Sequence, residues 1–190
     1  MPTLYIIAGP NGAGKTTSAN ILLPNKLDTI EFVNADYIAK GISPFNPSSV
    51  DRLAARVMIQ RINELRKELK SFAIETTLTT KSYASLFNSM QQEEYTIVLI
   101  FLWLENVELC IQRVAARVKE GGHNIPEDVI RRRYSKGISN LEKIFIPIAD
   151  SWQIYDNTNG ELQPVAEGGK RIATLVFNNE ICKTILKQLK

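Results

Sequence analysis

Cysteine and histidine are both scarce in this sequence, with two cysteines and one histidine among 190 residues. Cys110 and Cys182 fall in stretches of helical pattern, so no disulfide framework is expected, and a reducing cytoplasm suits the chain. No apolar run approaches the ~20 residues that cross a bilayer, and the longest, Ile97 to Leu104, has strand length. No basic segment leads an apolar one at the N-terminus, so no signal peptide is expected. Repeats, linkers and low-complexity segments are missing as well. What remains is ordinary: 44% apolar and 23% charged residues, the balance of a globular protein. The length predicts one domain over residues 1–190 with little room for a second.

Charge of one sign is also scarce, the net value being +3, but its distribution is uneven. Between Arg113 and Lys136 there are seven Lys/Arg against three Asp/Glu, which leaves the remainder of the chain near −1. A broad basic face for duplex nucleic acid is not evident. A lid over an anion, at about 113–136, fits the concentration better.

One stretch stands out, Ile7 to Thr17. Gly9, Gly14, Lys15 and Thr16 have the spacing of a phosphate-binding loop, placed between an apolar run that reads as a strand (Leu4 to Ala8) and a helical one. Its glycines let successive backbone N–H groups of Asn11, Gly12, Ala13 and Gly14 point into one hollow, and the helix N-terminus adds its dipole. Lys15 would reach the β- and γ-phosphates of a nucleoside triphosphate, and the Thr16 hydroxyl, next to Thr17, would hold Mg²⁺.

Around it, strand-type and helix-type runs alternate, predicting an α/β fold with a parallel five-stranded sheet and helices on both faces. The first helix is expected to stop near Pro24. Short strands follow at Glu31–Asn34 and Phe72–Glu75, with a loop over Gly41–Asn46. A helix from Ser48 or Ser49 to about Leu69 is expected to bury Val50, Leu53, Val57, Ile62, Leu65 and Leu69. A helix over Lys81–Gln92 and a strand over Tyr95–Leu104 come next. Asn106 caps a helix to about Glu120, and Pro126 opens the next, whose stripe runs Ile130, Tyr134, Ile138, Leu141, Phe145 and Ile148. A fifth strand at Trp152–Tyr155, a hairpin closed by Gly168-Gly169, and a helix over Asn179–Leu189 complete the pattern.

Ligands of parallel sheets lie beyond the C-terminal strand ends, which directs attention to Asp36 and Glu75. Asp36 is the better general base for an acceptor hydroxyl. Glu75, with Thr76 and Thr77, could bind the acceptor or hold a metal-bound water. In the basic segment, Arg117 and Arg133 are the first candidates to stabilise transferring charge, then Arg131, with His123 as a further phosphate contact.

The ordered set Ala8-Gly9-Pro10-Asn11-Gly12-Ala13-Gly14-Lys15-Thr16-Thr17, Asn34-Ala35-Asp36, Glu75-Thr76-Thr77-Leu78, Arg117, Gly121-Gly122-His123-Asn124-Ile125-Pro126 and Arg131-Arg132-Arg133-Tyr134 resembles the zeta toxin family, in its small bacterial branch. The resemblance covers Thr3 to about Asn157. It implies a P-loop nucleotide-kinase core in which ATP with Mg²⁺ phosphorylates a small molecule, in the best-understood members the sugar 3′-hydroxyl of UDP-N-acetylglucosamine. It implies Asp36 as base, Glu75 and Thr77 on the sugar nucleotide, Arg117 on the transferring phosphate, and an antitoxin protein as partner. The chain departs from the family's pattern at His123 and Thr79, where active members carry arginine, and over Gly41–Phe45. Four rivals stand beside this reading. A transporter-type ATPase would need a Leu-Ser-Gly-Gly signature and greater length, and neither is found. A GTPase would use Asn25-Lys26-Leu27-Asp28, but that match sits directly after the first helix and no Asp-x-x-Gly switch accompanies it. A polynucleotide 5′-hydroxyl kinase shares the core, and a non-catalytic ATP-binding regulatory module would need only the loop.

Overall fold

The computed structural model describes residues 1–26, 29–122 and 124–187, with backbone alone for 24–26. The strands are β1 (Thr3–Ala8), β2 (Phe32–Val33), β3 (Phe72–Thr76), β4 (Thr96–Trp103) and β5 (Ser151–Asp156), followed by β6 (Gln163–Gly169) and β7 (Ile172–Val176). The first five pair in parallel in the order β2-β3-β1-β4-β5. The expected C-terminal hairpin does not stand apart. β6 pairs antiparallel with β5 and β7 with β6, which extends one sheet to seven strands.

The apolar content of the central strands follows from cover on both faces. Along β4, Ile97, Leu99, Phe101 and Trp103 enter one core, and Ile100 and Leu102 enter the other. β1 alternates in the same way, with Leu4, Ile6 and Ala8 in the first core and Ile7 in the second.

Helices α1 (Lys15–Lys26), α2 (Ala35–Ile42), α3 (Asp51–Lys67), α4 (Ser82–Gln92), α5 (Val107–Lys119) and α6 (Glu127–Asn140) fill the crossovers. α6 continues through a π-helical stretch, Leu141–Phe145, into the short α7 (Ile146–Ile148), and α8 (Asn179–Ile185) closes the chain. Asn106 caps α5 as the sequence indicates, its side chain accepting from Leu109 N–H at 2.8 Å. Among the described residues, no helix is long and apolar enough to cross a membrane.

Four expectations are corrected. α1 runs past Pro24 instead of ending there. Residues 35–42 form a helix, α2, instead of leading into a loop at Gly41, because Asn34 caps it. The buried stripe of α3 is Ala54, Met58, Ile62 and Leu65, whereas Leu53, Val57 and Leu69 are exposed. Pro47–Val50 forms a separate 3₁₀ turn, and the row through Leu53 and Val57 runs into Gln60 and Glu64, while the row from Ala54 stays apolar to its end. Gly168 and Gly169 lie within β6, and residues 170 and 171 make the turn. These glycines serve close approach: a Cβ on Gly168 would stand 2.8 Å from Cζ2 of Trp152, and one on Gly169 would stand 2.3 Å from the Asp150 carbonyl oxygen.

Candidate active site

The loop from Gly9 to Gly14 leaves β1 where parallel neighbours crowd it. Gly9 has φ 146°, and a Cβ there would lie 2.2 Å from the carbonyl oxygen of Leu102 in β4, so no other residue fits. The curl is braced from outside by residues that follow β5 and by α5. Asn157 Nδ2 donates to the Ala13 carbonyl at 2.9 Å. Arg113 donates to the carbonyls of Asn157 and Thr158 at 2.9 Å each and reaches Gly12 O at 3.4 Å. Asn11 and Ala13 are buried in the loop, and the Asn11 Oδ1 has no partner among the described residues.

Lys15 opens α1 and is only 6% exposed, its Nζ donating to Pro10 O at 2.9 Å. β3 lies beside β1 in the register Ile7↔Glu75, which delivers Glu75 to this point. Glu75 Oε1 stands 3.6 Å from Lys15 Nζ. Its other oxygen, Oε2, accepts from Thr16 Oγ1 and from Asn34 Nδ2, both at 2.7 Å. Asn34 is 4% exposed, and its Oδ1 accepts from the backbone N–H groups of Asp36 (2.8 Å) and Tyr37 (3.1 Å). One amide therefore ties the loop's carboxylate partner to the first turn of α2.

Asp36 sits in that first turn, exposed to the cleft, and its carboxylate makes no hydrogen bond or ion pair among the described residues. The two carboxylates thus differ. Glu75 is held by a cation and two donors, whereas Asp36 is available. Both line a cleft of about 580 Å³ with Gly12, Gly14, Lys15, Thr16, Thr17, Arg113 and Arg117, closed on the far side by Lys40 and the Pro44–Ser48 loop.

Other expected residues lie outside this lining. Thr77 Oγ1 shares a hydrogen bond with Thr79 Oγ1 at 3.0 Å. Arg131 is paired with Glu108 at 2.7 Å and Glu127 at 2.6 Å, the latter one helical turn before it. Arg133 is half-buried on α6 and does not line the cleft. His123 and the end of the Asn25–Asp28 match lie outside the described residues. Cys110 beneath the loop is buried, and burial pushes its thiol up to about 11.

The donor set suits a hard cation. Thr16 hydroxyl and the Glu75 carboxylate offer adjacent oxygens, and no group of three or more His, Cys, Asp or Glu gathers among the described residues. A magnesium ion carried in with phosphates and water needs no larger protein cage. The residues therefore fit Mg²⁺ with a nucleotide.

Sequence reasoning assigned no task to Asn34, Asn157 or Arg113. An asparagine directly before a helix start is a cap signal, but its second bond, to Glu75, depends on the pairing of β2 with β3. Asn157 and Arg113 carried no local signal for bracing a loop about a hundred residues or more away.

Comparison with known proteins bears on the fold and the family. Over 127 residues the chain is 32% identical to an uncharacterized protein of Haemophilus influenzae, covering 66% of this chain and 88% of that one. Its fold matches a chain of the AvrRxo1-ORF1:AvrRxo1-ORF2 complex with ATP at a TM-score of 0.80 and 19% identity, over 100% of this chain; it spans 65% of that chain's length. It matches a chain of the PezAT chromosomal toxin–antitoxin system of Streptococcus pneumoniae at a TM-score of 0.73 and 17% identity, over 99% and 79% of the two chains. The fold is that of the P-loop kinases. Residues 4–142 match an AAA domain family, and by that match, over most of its length, the chain belongs to this family of P-loop domains.

Proposed function

We propose that the chain is an ATP-dependent phosphotransferase of the zeta toxin type, moving the γ-phosphoryl group of ATP to a hydroxyl of a small molecule. The observation that carries this reading is the juxtaposition in one cleft of a braced anion loop with Lys15, a carboxylate fixed beside Thr16, and a second carboxylate, Asp36, that is not engaged. A binding module has no use for the last of these.

In this reading the loop N–H groups and Lys15 hold the phosphates in line, and Thr16 and Glu75 hold the magnesium ion. Bound there, the ion would offset charge developing on the phosphate oxygens. Asp36 takes the proton of the acceptor hydroxyl at its carboxylate. Glu75 cannot share that task well, since its lone pairs already face Lys15, Thr16 and Asn34. Arg117, on the cleft wall with Arg113 beside it, stabilises the transferring group, and Arg133, which does not line the cleft, takes no part. Arg131 is engaged by Glu108 and Glu127 and takes no part. By family resemblance the acceptor is the 3′-hydroxyl of UDP-N-acetylglucosamine, with Thr77 contacting the sugar nucleotide. The same resemblance gives the partner as an antitoxin protein, and two cysteines without a disulfide suit the cytoplasm as the setting.

The test is transfer of label from γ-labelled ATP with Mg²⁺ to UDP-N-acetylglucosamine, other sugar nucleotides, nucleosides, NAD and 5′-hydroxyl oligonucleotides. Asp36→Asn is expected to lower kcat by about 10²–10⁴-fold with nucleotide binding intact. Label on the oligonucleotide would replace the acceptor, and nucleotide binding without transfer to any acceptor would overturn the enzyme reading.

A further inference from the structure

The far side of the cleft carries two groups that the phosphoryl step does not use. Lys40 lies in α2 four residues after Asp36, on the same face of the helix and about 6 Å further along its axis. Both residues line the cleft. Lys40 is exposed, and its amine makes no hydrogen bond or ion pair among the described residues. α2 ends at Ser43, whose N–H returns to Ala39 O at 2.8 Å, and the chain then follows the cleft rim through Pro44, Phe45 and Asn46. Phe45 is fully exposed although it belongs to the cleft lining. Looseness of the turn does not account for this. Asn46 O accepts from Ser49 N–H at 3.2 Å and from Ser49 Oγ at 2.7 Å, and Asn46 Oδ1 accepts from Ser48 Oγ at 3.1 Å. Pro44 and Pro47 stiffen the same turn. An apolar residue standing alone on a surface needs no explanation, but this ring is held in water on the rim of the cleft that contains the candidate base.

We propose that Lys40 and Phe45 set the acceptor specificity of the cleft. Lys40 pairs with an acid group about one helical turn from the hydroxyl that meets Asp36, and Phe45 stacks on a planar ring carried beyond that group. The acceptor class is a hydroxyl-bearing unit joined through phosphate to an aromatic base. A free sugar, or a sugar phosphate without a base, engages only part of this wall. Asp51, which opens α3 on the same wall, accepts from ring N–H or ribose hydroxyl groups and keeps the wall from holding every anion alike. Both roles rest on the phosphotransferase reading with Asp36 as base. Phe45 falls in the segment Gly41–Phe45, where the chain departs from the zeta toxin pattern, so the resemblance does not supply it.

The test is binding, read by calorimetry on the full chain with the phosphate loop saturated by a non-hydrolysable ATP analogue and Mg²⁺, so that a diphosphate cannot report on the loop instead. UDP-N-acetylglucosamine and NAD carry aromatic bases; N-acetylglucosamine 1-phosphate and N-acetylglucosamine carry none. At least one base-bearing probe is expected to bind about 5–150-fold more tightly than the sugar phosphate. Phe45→Ala should erase that margin and Phe45→Tyr should keep it, with affinity for the ATP analogue unchanged in both. Lys40→Gln should weaken the phosphate-bearing probes about tenfold and leave N-acetylglucosamine unaffected. Absence of any gain over the sugar phosphate, equal affinity of wild type and Phe45→Ala for both base-bearing probes, or a Lys40→Gln loss that extends to N-acetylglucosamine would overturn the proposal. Base-dependent binding lost in Phe45→Ala, with no label passing from ATP to any acceptor, would support the roles of Lys40 and Phe45 and defeat the phosphotransferase reading instead.

Discussion

The Lys15–Glu75 pair offers a quantitative test of the site that needs no substrate. The two side chains are 6% and 12% exposed, and the charged atoms lie 3.6 Å apart. Breaking a buried ion pair by removing one partner costs about 3–5 kcal/mol, because the remaining charge stays in a poor solvent. In Glu75→Gln the amide oxygen can still accept from Thr16, and Lys15 keeps its bond to Pro10 O at 2.9 Å, so the lower end, about 3 kcal/mol, is expected. For a chain of this size that corresponds to a fall of roughly 6–12 °C in Tm. Lys15→Met should also destabilise, by leaving Glu75 without its cation. The double variant removes both charges, so its loss should fall short of the sum by at least about 1.5 kcal/mol. Urea unfolding without nucleotide, with equal m-values across the four proteins, measures the cycle. Additivity to within about 0.5 kcal/mol would refute the reasoning, since it would mean the two groups are solvated separately. Binding of ATP in the absence of Mg²⁺ gives the complementary sign. Glu75→Gln removes a negative charge facing the phosphates, so affinity should rise.

Two further outcomes follow from packing and burial. Gly137 of α6 lies under the loop after β3, where an added Cβ would stand 2.6 Å from the Thr77 carbonyl oxygen. Gly137→Ala gains up to about 1 kcal/mol in helix propensity but must part the helix from backbone, at about 1–3 kcal/mol. A lower Tm is expected, and a higher one would show that the helix does not seat there. Tyr134 donates to Leu104 O at 2.8 Å, and burial pushes its hydroxyl up to about 12 from an ordinary value of 10. A raised folded-state value means its stabilisation is fully present below pH 10 and is lost between pH 10 and 12. Tyr134→Phe should flatten the fall in urea midpoint over that window, and an unchanged slope would refute the assignment.

The loop side of the candidate site was legible in the sequence because its logic is local. Gly9, Gly14, Lys15 and Thr16 are set by one turn between one strand and one helix, and the structure places all four where spacing alone put them. The carboxylate side of the cleft depends on contacts between distant strands. The approach of Glu75 to Lys15 rests on the β1–β3 register, and no local signal carries a register. Asn34 is the hinge between the sides: its cap bonds to Asp36 and Tyr37 are local, while its bond to Glu75 spans 41 residues. Arginines were the least legible group. Arg117 and Arg113 line the cleft and Arg131 does not, although all belong to one basic segment, because what decides is the competing partner. Glu127 one turn away and Glu108 across the interhelical contact capture Arg131, whereas Arg113 is drawn to the carbonyls that follow β5. The same competition explains why Asp36 is the carboxylate to test first. Asn34 caps its helix, and although Lys40 stands one turn on in the same helix no ion pair forms between them among the described residues, so the Asp36 carboxylate is a cleft charge that the fold leaves unspent.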